Sequence, residues 1–309
     1  MPRKESLSTG WSGTPATECT WCGAALDERA TRSHGRTGCP ECGAATTDPR
    51  PDAAALDEAY GDWYWPETGN RFSLVGDALL RRSRASMAAR IDEVAPPGPI
   101  LDVGAGEGTL IDALATRGRK VAGIDRQSGH PEVEEAELSS LEGPYSAIVF
   151  WHSLEHLPEP GEAIGQAARL LGTGGVVFIA VPNIGSRQAA AFGDDWLHLD
   201  LPRHLNHQTL SSLRSGLEAR GFVVGQVSGT RGGQVVIGWL DGLVAKLPGR
   251  LSLYQSLRRK SARRIEVSPA KRTAAIAAGM ILFPVAAFCA AIEIVTGRSG
   301  TVYLEAHRV

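Results

Sequence analysis

Four short apolar, β-branched runs punctuate the middle of this 309-residue chain: PILDVG (99–104), KVAGID (120–125), SAIVFW (146–151) and GVVFIAVP (175–182). The segments between them read as helices. Strands alternating with helices predict βαβ units, hence a parallel sheet covered on both faces. Two later runs, GFVVGQVS (221–228) and TVYLEAHRV (301–309), also read as strands. Between these lies AAIAAGMILFPVAAFCAAI (274–292), nineteen residues without a charge. That is long enough to cross a bilayer, although Gly279 and Pro284 interrupt it and eight of its residues are alanine. A shorter apolar piece, 235–247, carries Asp241 and is a poor second crossing.

The pattern divides the chain into a Cys-, Gly- and Thr-rich block (1–50), an alternating α/β block (51–230), a basic and apolar helical insertion (231–300) and a last strand (301–309). Composition is that of a soluble globular protein, 43% hydrophobic and 21% charged with net charge −2, and so names no partner. The N-terminus lacks an apolar signal core, which predicts a cytoplasmic protein. Local charge is more informative. Residues 246–272 hold nine Lys/Arg against the single acid Glu266, net +8. A basic stretch beside apolar helices fits docking on an anionic leaflet, with the helices lying in the interface rather than spanning it.

The turn after the first of these strands has Gly104, Gly106 and Gly108. A phosphate-cradling loop of the Gly-Lys-Ser/Thr type is excluded, since Thr109 and Leu110 follow Gly108. The dinucleotide fingerprint requires its third glycine at 109, one residue later than it occurs. A Gly-x-Gly-x-Gly turn still lets backbone approach a ligand closely. Asp125 ends the second strand, where a carboxylate can accept hydrogen bonds from ribose hydroxyls.

LDVGAGEGTL, then VAGID, then YSAIVFWHSLEHLPEPGEAIGQAARLLGTGGVVFIAVPN, together resemble the class I S-adenosylmethionine-dependent methyltransferases over residues 60–230. The resemblance implies an α/β fold: a Rossmann-like, doubly wound, seven-stranded sheet whose last two strands pair antiparallel. It implies that Asp102, Gly104, Gly106 and Gly108 line the methionine end of S-adenosylmethionine. Asp125 then holds the ribose, and Glu137 with Leu138 flank the adenine. The sequence departs from the family at Tyr145-Ser146, where an acidic residue usually opens the fourth strand.

Two histidine clusters follow strands of this block. In WHSLEHLPEP (151–160), a helical turn would place His152, Glu155 and His156 on one face. The spacing matches the inverted zinc-protease motif, but a strand-to-helix junction inside a parallel sheet suits a protease helix poorly. The segment also resembles the Glu-x-x-Glu-His run of ubiquinone-type O-methyltransferases, which implies a divalent cation at His152, Glu155 and His156, with His152 replacing the first Glu. The second cluster, DDWLHLDLPRHLNHQT (194–209), resembles a Trp…His…Pro-Arg-His segment of methyltransferases encoded with glycan and lipid-glycan assembly. A hydroxyl acceptor needs a base near neutral pH, which His204 would supply, and Arg203 would hold an anionic group of the acceptor. For both clusters the alternative is a purely structural role.

At the front, Cys19-x-x-Cys22 and Cys39-x-x-Cys42 have the spacing of a four-thiolate zinc ribbon. A closed site of this kind is structural. Residues 1–50 carry six basic and six acidic residues, so no basic face for nucleic acid is evident. The expected activity is O-methylation of a glycan or lipid-linked intermediate at the inner membrane face. An RNA methyltransferase using the ribbon and a non-catalytic membrane scaffold remain as alternatives.

Overall fold

The computed structural model describes residues 10–61, 63, 64, 72, 74–229 and 233–309. Residues 1–9 of the cysteine-rich block and 231–232, where the insertion opens, lie outside the described residues. The first block forms five short strands: β1 (Gly13–Thr14), β2 (Thr31–Ser33), β3 (Arg36–Gly38), β4 (Ala45–Thr47) and β5 (Arg50–Pro51). Helices α1 (Ala53–Ala59) and α2 (Leu74–Val94) lead into the main body. There β6 (Ile100–Val103), α3 (Thr109–Ala115), β7 (Val121–Ile124), β8 (Val133–Glu134), β9 (Tyr145–Trp151), α4 (Pro160–Leu170) and β10 (Leu171–Pro182) alternate. They are followed by α5 (Arg187–Phe192), β11 (Asn206–His207), α6 (Leu210–Glu218), β12 (Phe222–Ser228), α7 (Gln234–Ala245), α8 (Leu253–Leu257), α9 (Pro269–Val295) and β13 (Thr301–Arg308).

Seven of these strands form one sheet in the order β12-β13-β10-β9-β6-β7-β8. Its β10–β9–β6–β7–β8 part is parallel, and β13 runs antiparallel to both of its neighbours. This is the Rossmann-like methyltransferase arrangement expected from the sequence. Central strands are apolar throughout because successive side chains point to opposite, equally covered faces. Thus Ile148 and Phe150 pack toward α4, while Ala147 and Val149 pack toward α2 and α3. The departure at Ser146 has a local explanation. Its hydroxyl donates to Pro99 O (2.9 Å) and receives Arg119 Nη2 (3.2 Å), tying β9 to the start of β6 without a carboxylate.

The four-cysteine module is built into this body. Its sheet runs β11-β4-β3-β2, so one strand comes from residues 206–207. Trp21 is buried, and its Nε1 donates to Ser212 O at 2.8 Å.

The apolar stretch forms the 27-residue helix α9, longer at its front than the uncharged run because Ser268 caps it and Pro269 occupies its first turn. Small residues, Ala275, Gly279, Ala286 and Ala290, form its inward face, which packs on α7 and α8. Near its end the fully buried Glu293 accepts from Gln188 N (2.7 Å), Gln188 Nε2 (2.9 Å) and Trp239 Nε1 (3.0 Å). The outward face leaves Met280, Ile281, Phe283, Val285, Phe288 and Val295 exposed, Ile281 at 76% and Phe288 at 66%.

Candidate active site

The glycine turn follows β6, with φ of 77° at Gly104, 56° at Gly106 and 68° at Gly108. These left-handed values favour glycine. At Gly104 a side chain is doubly excluded, since a Cβ there would sit 2.3 Å from Ser153 Cβ. At Gly106 the missing Cβ faces open space, with nothing within 4 Å, leaving a bare stretch of backbone on the wall of a large cleft. The Gly106 N–H donates to Asp125 Oδ2 at 2.8 Å, so turn and acid form one wall.

The remaining cofactor candidates are placed differently. Glu137 lines the cleft, while Leu138 is buried in the core beneath it. Asp102 is enclosed in β6; burial pushes its carboxyl up to about 7, with Arg84 opposing and the Asp125 charge adding. Gly108 starts α3 and faces the His130 ring. An approachable backbone, a carboxylate at the end of the neighbouring strand and open volume before both fit an adenosyl sulfonium cofactor.

Beside the glycine turn, at the end of the neighbouring strand, the structure departs from the simple helical turn expected at 152–156. Strand β9 runs to Trp151, His152 takes a left-handed conformation (φ 54°), and only Leu154–His156 forms a 3-10 turn. His152 Nδ1 lies 3.3 Å from Glu155 Oε1. Glu155 is 2% exposed, and its Oε2 has no hydrogen-bond partner among the described residues. The group that gathers is therefore Glu155, His156 and His204, whose ligand-capable atoms lie within 4.8 Å of one another. His204 replaces His152 in the expected set, because the loop after β10 folds back over the turn after β9.

Both imidazoles of this group have their tautomer set by main-chain carbonyls. His156 Nδ1 lies 3.0 Å from Arg203 O and 3.0 Å from Tyr60 Oη. His204 Nδ1 lies 2.9 Å from His198 O. A carbonyl only accepts, so Nδ1 carries the proton in each ring and Nε2 keeps its lone pair. The rings meet edge to face at 4.7 Å. Burial is the main cause lowering both, His156 below the usual histidine value and His204 well below it. Arg203 pairs with Asp200 and lies over the rings of Trp63 (4.7 Å) and Tyr64 (4.8 Å). His207 is held by Thr47 Oγ1 at 3.1 Å, at the seam with the cysteine module.

That module clamps the His204 loop. Thr47 N donates to Leu205 O (2.9 Å), Thr47 Oγ1 donates to His204 O, and Leu205 N donates to Glu155 O (2.7 Å). In the module, Cys19 Sγ and Cys42 Sγ are 3.7 Å apart, as are Cys22 Sγ and Cys39 Sγ. A tetrahedral ion with sulfur at about 2.3 Å has an edge of about 3.8 Å, so the four thiols fit zinc. None of the four lines the cleft.

Sequence reasoning missed Tyr60, Tyr254 and Arg258, which line the same cleft. The basic count over 246–272 includes Arg258, but charge alone does not separate a buried guanidinium from its exposed neighbours.

Residues 77–227 match a family model described as a methyltransferase domain. Together with the strand order and the Gly106–Asp125 wall, that match decides the family. Residues 77–227 are a methyltransferase domain of the class I S-adenosylmethionine-dependent kind. Among curated relatives, a ubiquinone biosynthesis O-methyltransferase of Paracidovorax citrulli is 34% identical over 112 residues, 30% of this chain and 46% of that one. One from Xanthomonas campestris is 33% identical over 149 residues, 38% of this chain and 60% of that one. The chain thus spans about half the length of the curated relatives it matches. Among solved structures, a putative sarcosine dimethylglycine methyltransferase from Galdieria sulphuraria aligns at TM-score 0.45 and 14% identity, covering 74% of this chain and 84% of that one.

Proposed function

We propose that this protein methylates a hydroxyl group on a lipid-anchored acceptor at a membrane face. The observation that carries the reading is one cleft lined both by the Gly106–Asp125 wall and by the His156 and His204 rings. S-adenosylmethionine, when bound, supplies an electrophilic methyl group. Asp125 would grip its ribose, the bare backbone at Gly106 would admit its amino-acid end, and Glu137 would lie beside its base. His204 Nε2 accepts the proton of the acceptor hydroxyl, and positioning within the cleft supplies much of the rate. The relatives are named for ubiquinone biosynthesis, which favours a quinone-type hydroxyl over the glycan suggested by the 194–209 loop. At the cysteines we propose structural zinc.

A labelled-methyl transfer assay over fractionated lipid, glycan and RNA pools tests the reading, with label expected in the lipid pool. Asp125→Ala is expected to weaken S-adenosylhomocysteine binding by about 10–100-fold, the loss of one or two charge-assisted hydrogen bonds. Calorimetry showing wild-type affinity would remove Asp125 from the pocket. The RNA alternative needs a free basic face on the cysteine module, which instead joins its sheet edge to Asn206–His207.

One observation favours a second reading of the acid–histidine group. The buried, unpartnered Glu155 Oε2 beside two imidazole lone pairs suits a divalent cation. Activity lost on chelation and restored by magnesium would assign Glu155, His156 and His204 as ligands; indifference to chelator would leave His204 as the base.

Membrane association rests on the outward face of α9 and the basic residues Lys246, Arg250, Lys260, Arg264, Lys271 and Arg272, all exposed. Both flanks of α9 contact the folded body, Arg272 through Ser256 O (3.1 Å) and Glu293 through Gln188, which suits a helix lying in the interface. The protein is expected to float with vesicles of phosphatidylglycerol and not with those of phosphatidylcholine. Ile281→Asp with Phe288→Asp should reduce the bound fraction at least tenfold. Unaltered flotation of that double variant would reassign the face.

A further inference from the structure

Arg258 follows α8 and is 3% exposed. Its Nη1 donates to Tyr254 Oη at 3.0 Å, but Nε and Nη2 are buried without a partner among the described residues. Arg203, also buried, leaves its own Nε without a partner among the described residues while its other end meets Asp200. The two guanidiniums share one aromatic surface: Arg203 lies 4.7 Å and Arg258 5.4 Å from the Trp63 ring centre. Tyr254 lies 5.4 Å and Phe72 5.9 Å from Arg258. Both arginines line the cleft that holds His204 and Asp125.

A guanidinium cannot shed its proton to escape burial. An enclosed charge without a counter-ion is strongly unfavourable, and ring faces offset only part of that. Arg203 has Asp200; among the described residues Arg258 has only rings and a phenol. Three donor nitrogens on two fixed forks are therefore left for oxygen acceptors carrying negative charge, the geometry that suits phosphate or carboxylate.

We propose that Arg258, together with Arg203, forms an oxyanion subsite that holds a phosphate or carboxylate group carried by the methyl acceptor. This rests on the methyltransferase reading of the cleft and adds the acceptor's charge class. A group held there would keep the acceptor from turning freely before His204.

The test is calorimetry on the full chain saturated with S-adenosylhomocysteine, titrated with phenyl phosphate, benzoate, phenol and inorganic phosphate. At least one aromatic anion is expected to bind tenfold or more tighter than phenol, and whichever is tighter identifies the oxyanion. Arg258→Gln should remove that tenfold preference while S-adenosylhomocysteine affinity stays within about twofold. If Arg258→Gln fails to fold, Arg258→Lys keeps the charge without the fork and is expected to lose part of the preference. Equal binding of phenol and the anions by the wild type, or no anion binding, overturns the subsite, as does an undiminished preference in either variant. Inorganic phosphate binding as tightly as phenyl phosphate assigns the site to a free ion and overturns the acceptor-borne group. Failure of the wild type to bind S-adenosylhomocysteine would instead defeat the methyltransferase reading beneath it.

Discussion

Cys39→Ser is expected to cut methyl transfer at least 100-fold, although no cysteine touches the cleft. A structural zinc in a small module contributes about 10–16 kcal/mol of apparent binding energy, comparable to or larger than the whole stability of an ordinary domain. Losing one of four thiolates therefore releases the module before it unfolds the parallel sheet. Strand β4 goes with it, and Thr47 no longer holds the main chain at His204 and Leu205. The Gly106–Asp125 wall stands on β6 and β7, outside the module. S-adenosylhomocysteine affinity should therefore change only a few-fold. Zinc content, calorimetry and turnover measured on one preparation separate the two halves of the cleft. A zinc-free variant with normal turnover would show that the loop stands without the clamp.

His204→Ala is the second large effect. Removing a positioned base is expected to lower kcat by about 10²–10⁴-fold, with S-adenosylmethionine affinity unchanged because the ring packs on His156 and the His198 carbonyl rather than on the Gly106–Asp125 wall. Its pH behaviour is specific. The base must be unprotonated, and burial holds the His204 pKa well below the ordinary histidine value. The neutral form therefore persists as pH falls through 6.5, and the wild-type rate should decline only when pH drops through that depressed value. A rate half-lost near pH 6.5 would place the titrating group elsewhere.

How much of this was legible depended on the range of the interaction. The glycine turn, Asp125 and the four core strands were readable because each is fixed by a few consecutive residues: a left-handed turn needs glycine, and a doubly covered strand needs an unbroken apolar run. The two runs marked β12 and β13 as strands, and the family resemblance implied their antiparallel pairing, which the sheet has. What failed at 151–156 was a local rule applied too far. Spacing of i, i+3 and i+4 aligns side chains only inside a helix, and β9 extends to Trp151 before the chain turns at His152. The gathering of His204 with Glu155 and His156 is tertiary, produced by a loop folding back under the hold of β4. The same holds for Arg258: among nine basic residues in 246–272, only the packing of Tyr254, Phe72 and Trp63 distinguishes the one that turns inward.

The place of β13 in the sheet has a consequence for biogenesis. It lies between β10 and β12 yet is synthesised after α9. On the ribosome, β12 therefore has no edge to join until α9 has been made. Closure of the sheet therefore waits on its last strand, which links β12 to β10 only after all 27 residues of α9 have been added.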